Sequence, residues 1–125
     1  MLRDISENKS YSHICIVGDF NYKAIDWSTW NTLKSETSEE ERFLDQLKNA
    51  FFFQHVNEPT RRRGSDKPSL LDLILTNEAM SISDLTYEAP LGKSDHCTLL
   101  FNFHCYAEER QPSESLNYIK EITNL

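Results

Sequence analysis

The sequence predicts a domain of the α/β (α+β) class, with one amphipathic helix set among short strands. Three observations carry that reading. Four short β-prone runs, at 14–17, 70–76, 82–89 and 97–104, are separated by polar or turn-forming segments. One stretch, from about residue 39 to 53, repeats apolar residues at three- and four-residue spacing. The chain has 125 residues, which is the length of one small domain.

Taken in order, the N-terminus "MLRDISENKSYSH" has no apolar stretch of the kind a secretory signal needs, and residues 1–11 read as a disordered or linking segment. Ile14 to Val17 then form a continuous apolar run that stops at Gly18, as expected of a short strand buried on both faces. The loop after it carries Asp19 and Asn21. "YKAIDWSTWNTLK" has no clean period, and its Trp27 and Trp30 are expected to cover a neighbour. Ser38 with Glu41 fits a helix capping box, and Glu39 and Glu40 suit the positive end of the helix dipole. Phe43, Leu44, Leu47, Ala50 and Phe51 supply the apolar stripe, and Pro59 ends anything helical beyond. "TRRRGSDKPS" reads as an exposed loop or hairpin tip. In "LLDLILT", Leu71, Leu73 and Leu75 share one face of a strand, with Leu70, Asp72, Ile74 and Thr76 on the other. "ISDLTYEA" is a weaker strand, and "CTLLFNFH" sets Cys97, Leu99, Phe101 and Phe103 on one face. The ordered domain is expected over 12–106. Residues 107–125 read as a polar tail with a short helix in "LNYIKEITNL".

Composition narrows the function classes. No apolar run approaches the ~20 residues of a membrane span. Three cysteines without a C-x-x-C argue against a disulfide scaffold and for a reducing, intracellular compartment, with the nucleus open to it. The formal charge of −7 counts against a purely electrostatic nucleic-acid scaffold. Charge is uneven, however. "RRRGSDK" sets Arg61, Arg62, Arg63 and Lys67 against Asp66 alone. It reads either as a solvated loop or as a loop that contacts phosphates.

Three polar points stand out in the apolar frame. Asp72 interrupts a strand of leucine and isoleucine, where an unpaired carboxylate costs several kcal/mol. Either it faces water on an edge strand, or a cation sits opposite, and His96 is the natural candidate. A carboxylate bonded to one ring nitrogen fixes the tautomer and raises the basicity of the other. His96 then serves as proton acceptor or as cationic phosphate contact. His13, His55 and His104 have no comparable setting and read as structural or exposed. "GDFN" places Asp19 and Asn21 at a strand end. It is not an EF-hand, because Lys23 and Ala24 occupy the last ligand and glycine places. There is no nucleophile elbow, Walker loop or dinucleotide fingerprint. Carboxylates, an amide and a histidine without cysteine suit a hard cation such as Mg²⁺, and phosphate chemistry.

"IVGDFN", "SLLDLILT" and "GKSDHCTLLF", in that order, resemble the C-terminal half of the endonuclease/exonuclease/phosphatase superfamily. "FNYKAIDWSTW", "FLDQLKNAFFFQHVNEPTRR" and "LGKSDH" are similar to the endonuclease domains of non-LTR retrotransposons, over roughly residues 12 to 104. The resemblance implies half of a four-layer β-sandwich flanked by helices, with a mostly antiparallel sheet. It implies Mg²⁺- or Mn²⁺-dependent hydrolysis of phosphodiesters in DNA, which in that branch primes reverse transcription. Asp19 would activate or orient water, and Asn21 would hold that water or the phosphate. Asp72 would orient His96, Asp95 would bind the metal, and His96 would stabilise charge on the phosphate. Arg61, Arg62 and Arg63 fall where a loop could approach the DNA backbone.

The family's N-terminal half, with a metal-binding glutamate, an asparagine and a second sheet, has no counterpart before Ser12. Residues 107–125 are not expected to hold any part of a reverse transcriptase. The expectation is half a site on half a fold, inactive alone, with an apolar sheet face left for the missing half or for a second copy. Two alternatives stand beside it. One is a non-catalytic interaction domain that keeps the fold. The other is a phosphoesterase of the same superfamily with a nucleotide, lipid or sugar phosphate as substrate.

Overall fold

The computed structural model describes residues 13–34 and 38–105, and the backbone of 114–120. The N-terminal stretch 1–11 lies outside them. Along the chain run β1 (Cys15–Asp19), β2 (Ile25–Asp26), β3 (Asn31–Thr32), α1 (Glu39–Asn49), β4 (Phe53–Gln54), β5 (Asp72–Thr76), β6 (Ile82–Glu88), β7 (Thr98–Cys105) and β8 (Glu114–Lys120). All pairing is antiparallel, in the orders β1-β5-β4 and β6-β7-β8, with β2-β3 as a separate ribbon. The α+β class and the mostly antiparallel sheet are therefore as expected.

β5 is the centre of the molecule, and all five of its residues are buried. Strand alternation sends its side chains into two different cores. Leu73 and Leu75 join Ile14, Phe43, Leu44 and Leu47 under α1. Ile74 joins Leu99, Phe101 and Phe103 of β7, with Cys15 and Val17 at the margin. The layers are thus helix, sheet and second sheet. This corrects the expectation of an uncovered apolar face: the chain's own β6 and β7 cover the far side of β1 and β5. What stays open among the described residues is an edge, because β1 pairs only with β5.

Two element boundaries also differ from expectation. The helix ends at Asn49 rather than near 53. Phe51 N–H bonds to the Lys48 carbonyl and Phe52 N–H to that of Leu47, while Phe51 takes a φ of 58°. This is a Schellman cap with phenylalanine where glycine is usual, so the stop left no trace in composition. The N-terminus follows the capping expectation, with the Ser38 hydroxyl accepting from Glu41 N–H at 3.2 Å. At the C-terminus, 114–120 is a strand, not part of a helix. Its ladder runs along β7 from Leu99↔Lys120 to Cys105↔Glu114, and that pairing overrides a weak local helix signal.

The candidate active site

The segment after β1 is placed by alternation. In "DFNY", Phe20 and Tyr22 turn to Phe43 of α1, with ring centroids 5.2 and 4.9 Å apart. Trp27 meets the same ring edge-on at 6.5 Å and Trp30 at 5.2 Å, which is what the two tryptophans cover. Asp19 and Asn21 are left to line a cleft of about 520 Å³. Asp19 is the last residue of β1 rather than part of the loop. Its Oδ1 accepts the Asn21 N–H at 2.9 Å, and Asn21 takes a φ of 55°, a conformation asparagine tolerates better than most residues.

Register brings the second carboxylate. Asp19 lies directly across from Asp72 in the β1–β5 ladder. Facing like charges destabilise a sheet. Between them stands His96, which enters from the segment just before β7. Its Nδ1 is 2.6 Å from Asp72 Oδ2, and its Nε2 is 3.7 Å from Asp19 Oδ2 and 3.8 Å from Asp95 Oδ1. His96 and Asp72 are fully buried. With Nδ1–H donating to Asp72, Nε2 is the bare nitrogen. Nε2 and Asp72 Oδ1 make no hydrogen bond among the described residues. Burial pushes the Asp72 carboxyl above its ordinary range; the nearby Thr60 hydroxyl and His96 oppose this, and Asp19 adds to it.

Asp95 has different company. Its Oδ2 takes Arg61 Nε at 3.0 Å and Arg63 Nε at 3.5 Å. Burial acts to raise its carboxyl, but the Arg61 hydrogen bond and charge, with His96, leave it below the ordinary value. The arginine run divides. Arg61 and Arg63 line the cleft with Asp19, Asn21, Asp95 and His96, whereas Arg62 lines a separate pocket of about 340 Å³ with Tyr87 and Cys97.

Two positioning residues carry no signal in the sequence. The buried Thr60 hydroxyl accepts the N–H groups of Leu71 and Asp72 at 3.1 and 3.0 Å, and its carbonyl accepts Cys97 N–H at 2.7 Å. It ties the entry of β5 to the chain beside His96. Ser94 Oγ accepts the His96 N–H at 3.1 Å. Lys23 also reaches the cleft wall, and only its distance along the chain from the arginines hid it.

The other histidines are structural, as expected. His13 pairs with Glu78 and His55 bonds to Thr76, while His104 meets Ser83.

The family model described as endonuclease-reverse transcriptase matches residues 1–100. The chain belongs to that family. It is accordingly a member of the endonuclease/exonuclease/phosphatase superfamily, of the retrotransposon type. No curated protein and no solved structure matches it. For an endonuclease-reverse transcriptase domain, the residues of "GDFN", "LLDLILT" and "SDH" now meet in one cleft. The family points to metal-dependent catalysis, and ligand atoms of Asp19, Asp72 and His96 lie within 4.8 Å of one another. The carboxylate oxygens of Asp19 and Asp95, 3.7 and 3.8 Å from the His96 ring, are hard donors of the kind a divalent cation takes. No helix among the described residues is long and apolar enough to cross a membrane.

Proposed function

We propose that this chain carries the reacting rim of a divalent-cation-dependent endonuclease that hydrolyses phosphodiesters in DNA. The observation that carries the reading is the buried Asp72–His96 pair, which aims an unpartnered ring nitrogen past Asp19 into a cleft walled by arginine. A metal-binding role for Asp95, with Asp19 as the next oxygen donor, suits Mg²⁺ or Mn²⁺, and the ion would neutralise charge on the phosphate.

The chain's own groups have distinct tasks in this scheme. Asp19 orients the attacking water and takes its proton. The Asn21 amide donates to a phosphate oxygen. Asp72 holds Nδ1–H, so that Nε2 faces the phosphate. Arg61 and Arg63 meet the DNA backbone, whose phosphates reward such contacts through counterion release. A DNA substrate goes with a nuclear site of action.

The reading includes a complementary N-terminal half that supplies further ligands, with the open edge of β1 as the place where its strand would pair. The test is nicking of supercoiled plasmid by the full chain with Mg²⁺, with and without that half in trans. His96→Ala and Asp19→Ala should each abolish nicking, and a chelator should do the same. Nicking that persists in His96→Ala, or none with both halves and Mg²⁺ present, defeats the reading. Partner binding without nicking would favour a non-catalytic interaction domain.

A further inference from the structure

Asp95 is the carboxylate of the cleft that pairs with arginine. Arg61 Nε lies 3.0 Å from Oδ2, and Arg63 Nε lies 3.5 Å from the same oxygen. The two arginines are not equivalent. Arg63 is largely exposed, and such pairs contribute little. Arg61 is mostly buried, and its backbone is clamped on both sides. Arg61 and Ser69 exchange two hydrogen bonds of 3.0 Å, and the Arg62 N–H donates to the Asp95 carbonyl at 2.9 Å. The root of the Arg61 side chain is therefore fixed, and only its guanidinium can move. It also has somewhere to go. Arg61 lines both the cleft and an adjoining groove of about 1120 Å³, together with Lys23.

We propose that Arg61 is an exchangeable counter-ion for Asp95. It neutralises the carboxylate while no divalent cation is bound, and it releases the carboxylate to the cation and turns to the phosphate of the substrate. A guanidinium and a divalent cation repel strongly at the separation one carboxylate oxygen would impose. A guanidinium freed from one oxyanion suits the next, because its fork matches phosphate geometry. Cation and phosphate then bind with positive coupling, since both favour the same position of Arg61. The exchange at Asp95 stands by itself; the phosphate step rests on the nuclease reading.

The test uses Mn²⁺ as probe, with bound ion read by electron paramagnetic resonance on the full chain. Arg61→Met should bind Mn²⁺ about 3- to 10-fold tighter than the parent, since a competing cation is removed. Arg61→Gln carries the same expectation should the methionine variant fail to fold. Asp95→Asn should abolish the difference. A short DNA duplex, corrected for the Mn²⁺ it binds alone, should tighten Mn²⁺ binding to the parent and not to Arg61→Met. Equal or weaker Mn²⁺ binding in the Arg61 variants, or no saturable binding in any chain, overturns the proposal. Arg61-dependent Mn²⁺ binding in a chain that does not nick DNA even with the N-terminal half and Mg²⁺ present would defeat the nuclease reading and leave the exchange at Asp95 intact.

Discussion

At the scale of single residues, the facing carboxylates of Asp19 and Asp72 set the terms. Burial that pushes the Asp72 carboxyl up eases the facing of two acids, and the imidazole of His96 bonds Asp72 at 2.6 Å while its other nitrogen stands 3.7 Å from Asp19. Thr60 keeps that arrangement in place, because its hydroxyl is the acceptor for two buried N–H groups at the start of β5. Thr60→Val should cost ~1–3 kcal/mol, as those donors lose their partner, and urea denaturation measures it. Asp95 makes a pH prediction. Its carboxyl is held below the ordinary value, so ionised Asp95 stabilises the fold above about pH 4 and that contribution is lost as pH falls through its lowered value. Urea midpoints of the parent and Asp95→Asn should differ most near neutrality and converge in acid. A gap that widens in acid would show that Arg61 does not hold Asp95 ionised.

At the scale of elements, α1 acts on the cleft without touching it. Its Phe43 gathers Phe20, Tyr22 and Trp27, and this aromatic contact holds the segment between β1 and β2 with Asp19 and Asn21 outward. The end of α1 carries an avoidable strain. Phe51 sits in the left-handed region and is 80% exposed, so it contributes little packing in return. Phe51→Gly should raise stability by about 0.5–1 kcal/mol, seen as a higher urea midpoint, because glycine adopts that conformation at no steric cost. In the loop between β4 and β5, Gly64 takes a φ of 53° inside a turn closed by Asp66 N–H and the Arg63 carbonyl. That turn lies between Arg63 on the cleft wall and Lys67 beside the groove.

At the scale of the whole molecule, two cores share one sheet. Leu70 touches both, and β5 feeds both through alternate side chains. The sheets should therefore unfold together rather than in sequence. Leu99→Ala, at a fully buried position of β7, should cost ~2–5 kcal/mol and leave a single transition by circular dichroism and fluorescence. Two separate transitions would mean the cores are independent. Charge is also divided at this scale. The chain carries −7 overall, yet Lys23, Arg61 and Arg63 stand on the cleft wall while Glu39, Glu40 and Glu41 occupy the first turn of α1. If the proposed DNA substrate is right, its binding should weaken as salt rises despite the acidic total.

The four longer strand runs, the helix start and the Asp72–His96 pair were legible because each rests on local chemistry: apolar runs and period-two alternation, a capping serine, and a carboxylate too costly to leave alone among leucines; the two-residue strands β2, β3 and β4 were not. The end of α1 was not legible, because an αL phenylalanine sends no stop signal. Nor was the strand at 114–120, whose form is set by a neighbour across the sheet. Thr60, Lys23 and the parting of Arg62 from Arg61 and Arg63 belong to the fold as well. By itself the sequence determined which residue types could do phosphate chemistry here. Only the tertiary structure decided which oxygen faces which nitrogen, and that the chain covers its own central sheet, since those distances arise between segments far apart along the backbone.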